Sequence, residues 1–171
     1  MKVIFTFFIL FLALWLEVSL SSLDIVMPLL MIELFYLTVV YKWRYSFLTA
    51  LVACSILDSL LGYYSLPAAI FVIIVASFWR TIGDCSKVEL QFLPVSVTIF
   101  AALLIIMACV YFSYGGVIPV WNWFVQLFGG VLLTVFFTPF IIRFQDFIAR
   151  KLKVFTYADV QREEMYSASN K

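Results

Sequence analysis

Three carboxylates lie inside long apolar stretches of this chain, where an acidic side chain most needs a physical reason. They are Glu17, Glu33 and Asp58. An acid at the centre of a bilayer costs about 2.5–3.5 kcal/mol on insertion scales, so such residues mark packing contacts, ion or proton paths, or catalytic groups. No Lys or Arg lies in the same stretches to pair with them. Glu33 is the deepest by position, and we expect it to be protonated or hydrogen bonded to a hydroxyl group.

The reactive side chains of the sequence argue against an enzyme. An aspartyl dyad needs two aspartates, and Asp58 is the only aspartate inside an apolar stretch. The chain has no histidine and no nucleotide-binding or nucleophile-elbow motif. Its cysteines lack metal-binding or redox spacing, and Cys54 and Cys109 lie in apolar stretches, as buried small side chains do. We therefore predict no catalytic residues, no metal site and no cofactor.

Two interpretations of the acids remain. They can form a polar cluster that packs helices or binds a partner, or they can be the proton or cation site of a transporter. The first is favoured because the acids form no repeated motif.

A stripe of small and polar side chains surrounds one of these acids. Residues three and four apart share a helix face, which places these side chains on one side of a helix: Ala50, Cys54, Ser55, Asp58 and Gly62. Such a stripe lets a neighbouring helix approach closely in lipid. We predict that this helix is the central packing helix of the protein, with the other segments arranged around it. Gly129 and Gly130 offer a second site of close approach.

The composition is that of a polytopic membrane protein. Of its 171 residues, 65% are hydrophobic and 12% are charged, against about 45–50% and 25% in soluble proteins. The predicted fold is all-α with six transmembrane helices, at residues 3–20, 25–41, 45–61, 66–82, 92–112 and 120–142. The first stretch is expected to be an uncleaved helix and not a signal peptide, because Glu17 lies just upstream of the possible cleavage site.

The distribution of positive charge predicts the topology. With six spans and a cytoplasmic N-terminus, all eleven Lys and Arg residues fall on the inner side, so both termini are expected in the cytoplasm. Residues 1–142 are then a transmembrane domain, and residues 143–171 a cytoplasmic amphipathic segment and polar tail. Residues 144–155 either lie on the inner leaflet as an amphipathic helix or continue the sixth helix. From Ala158 the tail is expected to be disordered.

The second helix opens with Pro28-Leu29-Leu30-Met31-Ile32, and the third ends with Ile56-Leu57-Asp58-Ser59-Leu60-Leu61-Gly62, followed by Leu66. These two short motifs resemble the rod shape-determining protein MreD family. The likeness covers residues 28–71 at motif level and the rest by length and topology. The chain departs from the family pattern in carrying Ala50 and Cys54 where glycine is usual, and Pro67 in place of another glycine.

The resemblance implies a non-enzymatic subunit of the bacterial cell-elongation machinery in the inner membrane. Such proteins bind the single-span protein MreC and couple MreB filaments to peptidoglycan synthases; no nucleic acid is involved. The fold of that family is similar to the substrate-binding subunits of energy-coupling-factor vitamin transporters. A small vitamin or precursor transporter subunit is therefore the alternative, although the uncharged outer turns disfavour a charged ligand.

Overall fold

The computed structural model describes residues 2–22, 27–41, 43–62, 64–82, 92–113, 120–154, 156 and 159. Over these residues the chain forms helices and no strands, which confirms the all-α prediction. The helices are α1 (Lys2–Ser21), α2 (Leu29–Tyr41), α3 (Trp43–Leu61), α4 (Leu66–Ile82), α5 (Phe92–Ser113) and α6 (Val120–Lys151).

The helices differ in their capacity to cross a bilayer. Four described segments are long and apolar enough to do so: Val3–Ser21, Trp43–Leu61, Pro94–Ser113 and Phe128–Lys151. The apolar helices α2 and α4 are shorter, and the 13 residues of α2 cover roughly 20 Å of a hydrocarbon core of about 30 Å. The chain is an all-α membrane protein.

Helix α2, and not α3, is the centre of the bundle. Every side chain from Leu29 to Val40 is buried, and α2 packs against all five other helices. Helix α3 packs mainly against α1, α2 and α4, and its opposite face, which includes Val52, Ile56 and Leu60, is exposed. The predicted centre was wrong because a stripe indicates one packed face, whereas a helix that is apolar all round is enclosed on all sides.

Helix α6 continues beyond the predicted end of the sixth span. Its 32 residues run without interruption through Pro139 and residue 142, over roughly 48 Å. Next to the proline, the hydroxyls of Thr134 and Thr138 donate to the carbonyls of Gly130 and Thr134, both at 2.6 Å. Of the two alternatives for residues 144–155, the structure has the continuation, as far as Lys151. The predicted division at residue 142 therefore falls within one helix.

The end of α6 is closed by a Schellman motif. The Val154 N–H donates to the Ala149 carbonyl at 2.9 Å, and the Lys153 N–H to the Arg150 carbonyl at 3.1 Å. Lys153 takes the left-handed conformation, with φ of 51°, that this motif requires at its turning residue. The C-terminal cap thus turns the chain at Lys153, and Val154 after it is buried.

A capping box follows the turn at Lys153. The hydroxyl and the backbone N–H of Thr156 both donate to Asp159 Oδ2, and the Asp159 N–H donates back to the hydroxyl. Asp159 is therefore hydrogen bonded, and the prediction of disorder is wrong at this residue. The other residues of the predicted disordered tail lie outside the described residues.

Candidate functional site

Glu17 caps the central helix from a neighbouring helix. The Leu30 N–H donates to Glu17 Oε2 at 2.8 Å. The backbone N–H groups of Met31 and Ile32 donate to the Pro28 carbonyl, so α2 begins directly after Pro28. The side chain of Pro28 cannot accept a hydrogen bond from the start of the helix. The first N–H groups of a helix lack intrahelical partners and favour a negative group. The carboxyl of Glu17 supplies that partner across the α1–α2 contact, which gives this acid a structural role.

Asp58 and Gly62 build the turn between α3 and α4. The Ser65 N–H donates to Asp58 Oδ1 at 2.8 Å, and the Gly62 N–H donates to the Asp58 carbonyl at 2.9 Å. Gly62 has φ of 68°, a conformation that a residue without Cβ adopts freely. Asp58 and Gly62, four residues apart in the motif that resembles the MreD family, therefore form the turn between α3 and α4.

The small-residue stripe of α3 is covered by the chain itself. Ala50 and Cys54 are buried with their neighbours Ser46, Ala53 and Leu57, on a helix that packs against α2 and α4. Ser55, predicted to share this face, is exposed and donates to the Leu51 carbonyl of its own helix. The stripe does permit close packing as predicted, but its partners are helices of the same chain.

The two glycines of α6 face different surroundings. Gly130 is buried. A Cβ added at Gly129 would meet no heavy atom within 4 Å. Of the residues predicted to contact a partner helix, Gly129 is therefore on a face with free space beside it.

Two hydrogen bonds join the central helix to α6. Gln145 Nε2 donates to Glu33 Oε1 at 2.6 Å, and the Tyr36 hydroxyl donates to Asp146 Oδ1 at 2.8 Å. Glu33 is predicted to be protonated or hydrogen bonded to a hydroxyl group; the hydrogen-bond partner in the structure is an amide. Gln145 was not predicted to be a buried residue. Its position was a usable signal, because the buried residues of α6 recur at helical spacing and include it: Thr134, Thr138, Ile142, Gln145 and Ala149.

This link also fixes the relative level of the two helices. Glu33 was predicted near the middle of a span, whereas Gln145 falls three positions beyond the predicted inner end of the sixth span. A direct hydrogen bond requires both residues to lie at one level of the bundle. The predicted depth of Glu33 and the predicted membrane boundary on α6 are therefore at odds. Hydropathy places each span separately and contains no information on the register between helices.

A concave groove runs along the outside of α1 and α3. It encloses about 660 Å³ and its lining is almost wholly apolar, from Val3 to Val18 on α1 and from Tyr45 to Leu60 on α3. One polar side chain in the lining is Thr6, which is buried and whose hydroxyl has no hydrogen-bond partner. The groove shares the exposed face of α3, so in a bilayer it opens toward lipid.

Comparison with family models, curated proteins and solved structures finds no match to this chain. Within the described part of the chain, no three His, Cys, Asp or Glu side chains come together as ligands of a metal ion would. Function is therefore inferred from the groove, the polar links and the motifs of the sequence.

Proposed function

We propose that this chain is a non-enzymatic subunit of the bacterial cell-elongation machinery. In this proposal it lies in the inner membrane, binds a single-span MreC-like protein, and through it serves MreB filaments and peptidoglycan synthases. The motif resemblance over residues 28–71 supports the family. The α1–α3 groove is the observation that carries the binding function.

The dimensions of the groove fit a transmembrane helix. Its α1 lining runs from Val3 to Val18, roughly 22 Å of helix. One leaflet contributes only about half of a core of about 30 Å, so a single acyl chain fills part of this length, whereas an apolar helix fills all of it. Helix association in lipid relies on close packing and hydrogen bonds. The concave apolar lining of the groove provides the close packing.

The polar groups of the bundle favour this function over a transporter. A binding site for a charged vitamin needs convergent polar side chains in a cavity. Here Glu17, Asp58 and Tyr36 hydrogen bond to groups of the same chain, and the groove lining is apolar. A vitamin or precursor transporter subunit remains the alternative that the experiments below distinguish.

The topology belongs to the same proposal. We place six spans in the membrane, with α2 and α4 crossing inside the bundle, both termini in the cytoplasm, and a fold similar to the energy-coupling-factor subunits. A cysteine introduced at Ser169 is expected to resist an impermeant thiol reagent in intact cells and to react after lysis. The parent chain without the added cysteine is the control for its native thiols. Labelling of the added cysteine in intact cells contradicts a cytoplasmic C-terminus.

Filling the groove is expected to release the partner. Val52 lines the groove with 64% of its side chain exposed, and Val97 on α5 lies outside the groove with 57% exposed. Val52→Phe should therefore reduce co-purification of the single-span partner at least tenfold, whereas Val97→Phe, the same change at a similar exposure, should leave it unchanged. The measurement is the partner-to-bait ratio after affinity purification from native membranes, with the yield of inserted protein measured in parallel.

A third variant tests the competing surface. Gly129→Leu adds bulk where space is free and is expected to retain the partner. Loss of the partner in Gly129→Leu and its retention in Val52→Phe would place the docking site on α6. Recovery of a small molecule with the wild-type chain, and of no single-span protein, would favour the transporter.

A further inference from the structure

Among the described residues, Glu33 and Gln145 form a buried polar contact between the side chains of two helices. Gln145 is 1% exposed and Glu33 6%, and one hydrogen bond of 2.6 Å joins Gln145 Nε2 to Glu33 Oε1. The other oxygen of each group, Glu33 Oε2 and Gln145 Oε1, is buried and has no hydrogen-bond partner. Buried polar atoms are nearly always hydrogen bonded, so two orphans in one contact need an explanation.

Both oxygens without a partner lack a hydrogen-bond donor. An ionised carboxylate only accepts hydrogen bonds, and so does an amide oxygen. Neither can serve the other, and each lacks a donor. A single hydrogen placed on Glu33 Oε2 corrects both, because a carboxylic acid and a primary amide form two reciprocal hydrogen bonds. The amide N–H then donates to one carboxyl oxygen, and the acid O–H donates to the amide oxygen.

The charges on the surrounding helices do not supply a counter-ion in place of this hydrogen. Glu17 on α1 bonds Leu30, and Asp58 on α3 bonds Ser65. Helix α5 carries no charged residue. On α6, Asp146 bonds Tyr36, and Arg143 and Arg150 are exposed.

Arg44 of α3 and Lys151 of α6 are exposed as well, which leaves Arg80 as the partly buried cation among the described side chains. Arg80 of α4 is partly buried, and its Nη1 has no hydrogen-bond partner. Over the described residues no ion pair joins Arg80 or any other cation to Glu33. An ionised Glu33 would therefore be a buried charge without a partner, which is strongly unfavourable.

We propose that Glu33 and Gln145 form a buried proton-binding site, in which Glu33 Oε2 holds the proton and donates it to Gln145 Oε1. The pair is then neutral and doubly hydrogen bonded. It joins the central helix to α6 through the proton itself. This assignment does not depend on which partner the protein binds.

Infrared spectroscopy of the purified protein in lipid at neutral pH tests the proposal directly. The carbonyl stretch of a protonated carboxylic acid is resolved from that of a carboxylate, and it shifts when the protein is prepared in D₂O. We expect the protonated-acid absorption of the wild type to contain a component that Glu33→Gln removes. Glu17→Gln, which alters the other buried acid, should retain this component. Gln145→Leu should shift it, because the hydrogen bond that the acid donates is lost.

The stability of the variants provides a second, independent measurement. Glu33→Gln pairs two amides that can exchange both hydrogen bonds, so its melting temperature should equal that of the wild type. Gln145→Leu removes the acceptor and should melt several degrees lower. A carboxylate band that Glu33→Gln removes, with no protonated-acid component that it removes, would overturn the proposal. The orphan oxygens would then be assigned to a bound cation or water. Failure of Glu33→Gln to fold would also overturn it.

Discussion

Replacing Ala50 by Phe is expected to prevent the bundle from packing. Ala50 is 1% exposed and lies on the buried face of α3, a helix that packs against α1, α2 and α4. A phenyl ring there must displace the backbone of a neighbouring helix, because the interior is close-packed and has no space for it. Overpacking typically costs 1–3 kcal/mol and can cost more; at this helix contact we expect about 3 kcal/mol.

Leu51→Phe is the matched control for Ala50→Phe. Leu51 is the next residue of α3 and 37% exposed, so the same ring projects toward lipid. Size-exclusion profiles and melting temperatures in detergent measure the effect. Ala50→Phe should aggregate or melt far below the wild type, and Leu51→Phe should behave like the wild type. An Ala50→Phe protein that folds normally would mean that this face is open and available to a foreign helix.

Asp58→Leu is expected to weaken the α3–α4 hairpin. The substitution removes the acceptor of the Ser65 N–H at the turn where Gly62 takes its left-handed conformation. Losing one hydrogen bond at a partly exposed position should cost about 0.5–1.5 kcal/mol in the free energy of unfolding. Asp58→Asn keeps an oxygen in the same place and should cost less than about 0.5 kcal/mol.

Ser59→Leu is the control for added bulk at the end of α3. Ser59 is exposed, and its hydroxyl donates only to the Ile56 carbonyl of its own helix. Denaturation in mixed micelles should rank the stabilities as wild type, Asp58→Asn and Ser59→Leu together, with Asp58→Leu lowest. If Asn and Leu at position 58 abolish function equally while both proteins stay folded, the acid is a proton-coupled transport site and the structural account is wrong.

Helix boundaries were predictable where turn residues interrupt the apolar pattern. Helix α4 has the predicted bounds, Leu66–Ile82, and α5 extends one residue beyond the prediction. Helix α2 begins at Leu29 and not at Ile25, because Pro28 lacks an N–H and its carbonyl accepts the first hydrogen bonds of the helix. The hydropathy pattern ended the sixth helix at residue 142, where charged residues begin, although the helical periodicity continues to Lys151.

The pairing of polar groups was not predictable from one sequence. Glu17 bonds a backbone N–H 13 positions away, and Glu33 bonds an amide 112 positions away. These partners depend on which helices are neighbours and on their register, and the hydropathy of each helix determines neither. The sequence predicts that the acids need partners, and identifying those partners requires the three-dimensional arrangement.

The separation between Glu33 and Gln145 has a consequence for synthesis in the cell. A ribosome adding ~5–20 residues per second needs roughly 6–22 s to make the 112 residues that separate them. During this interval the amide partner of Glu33 does not yet exist. Helix α2, which is enclosed on all sides in the finished protein, lacks its last neighbour for the same period. A pause in translation before α6 therefore lengthens the time for which α2 is an acidic helix without its full set of neighbours.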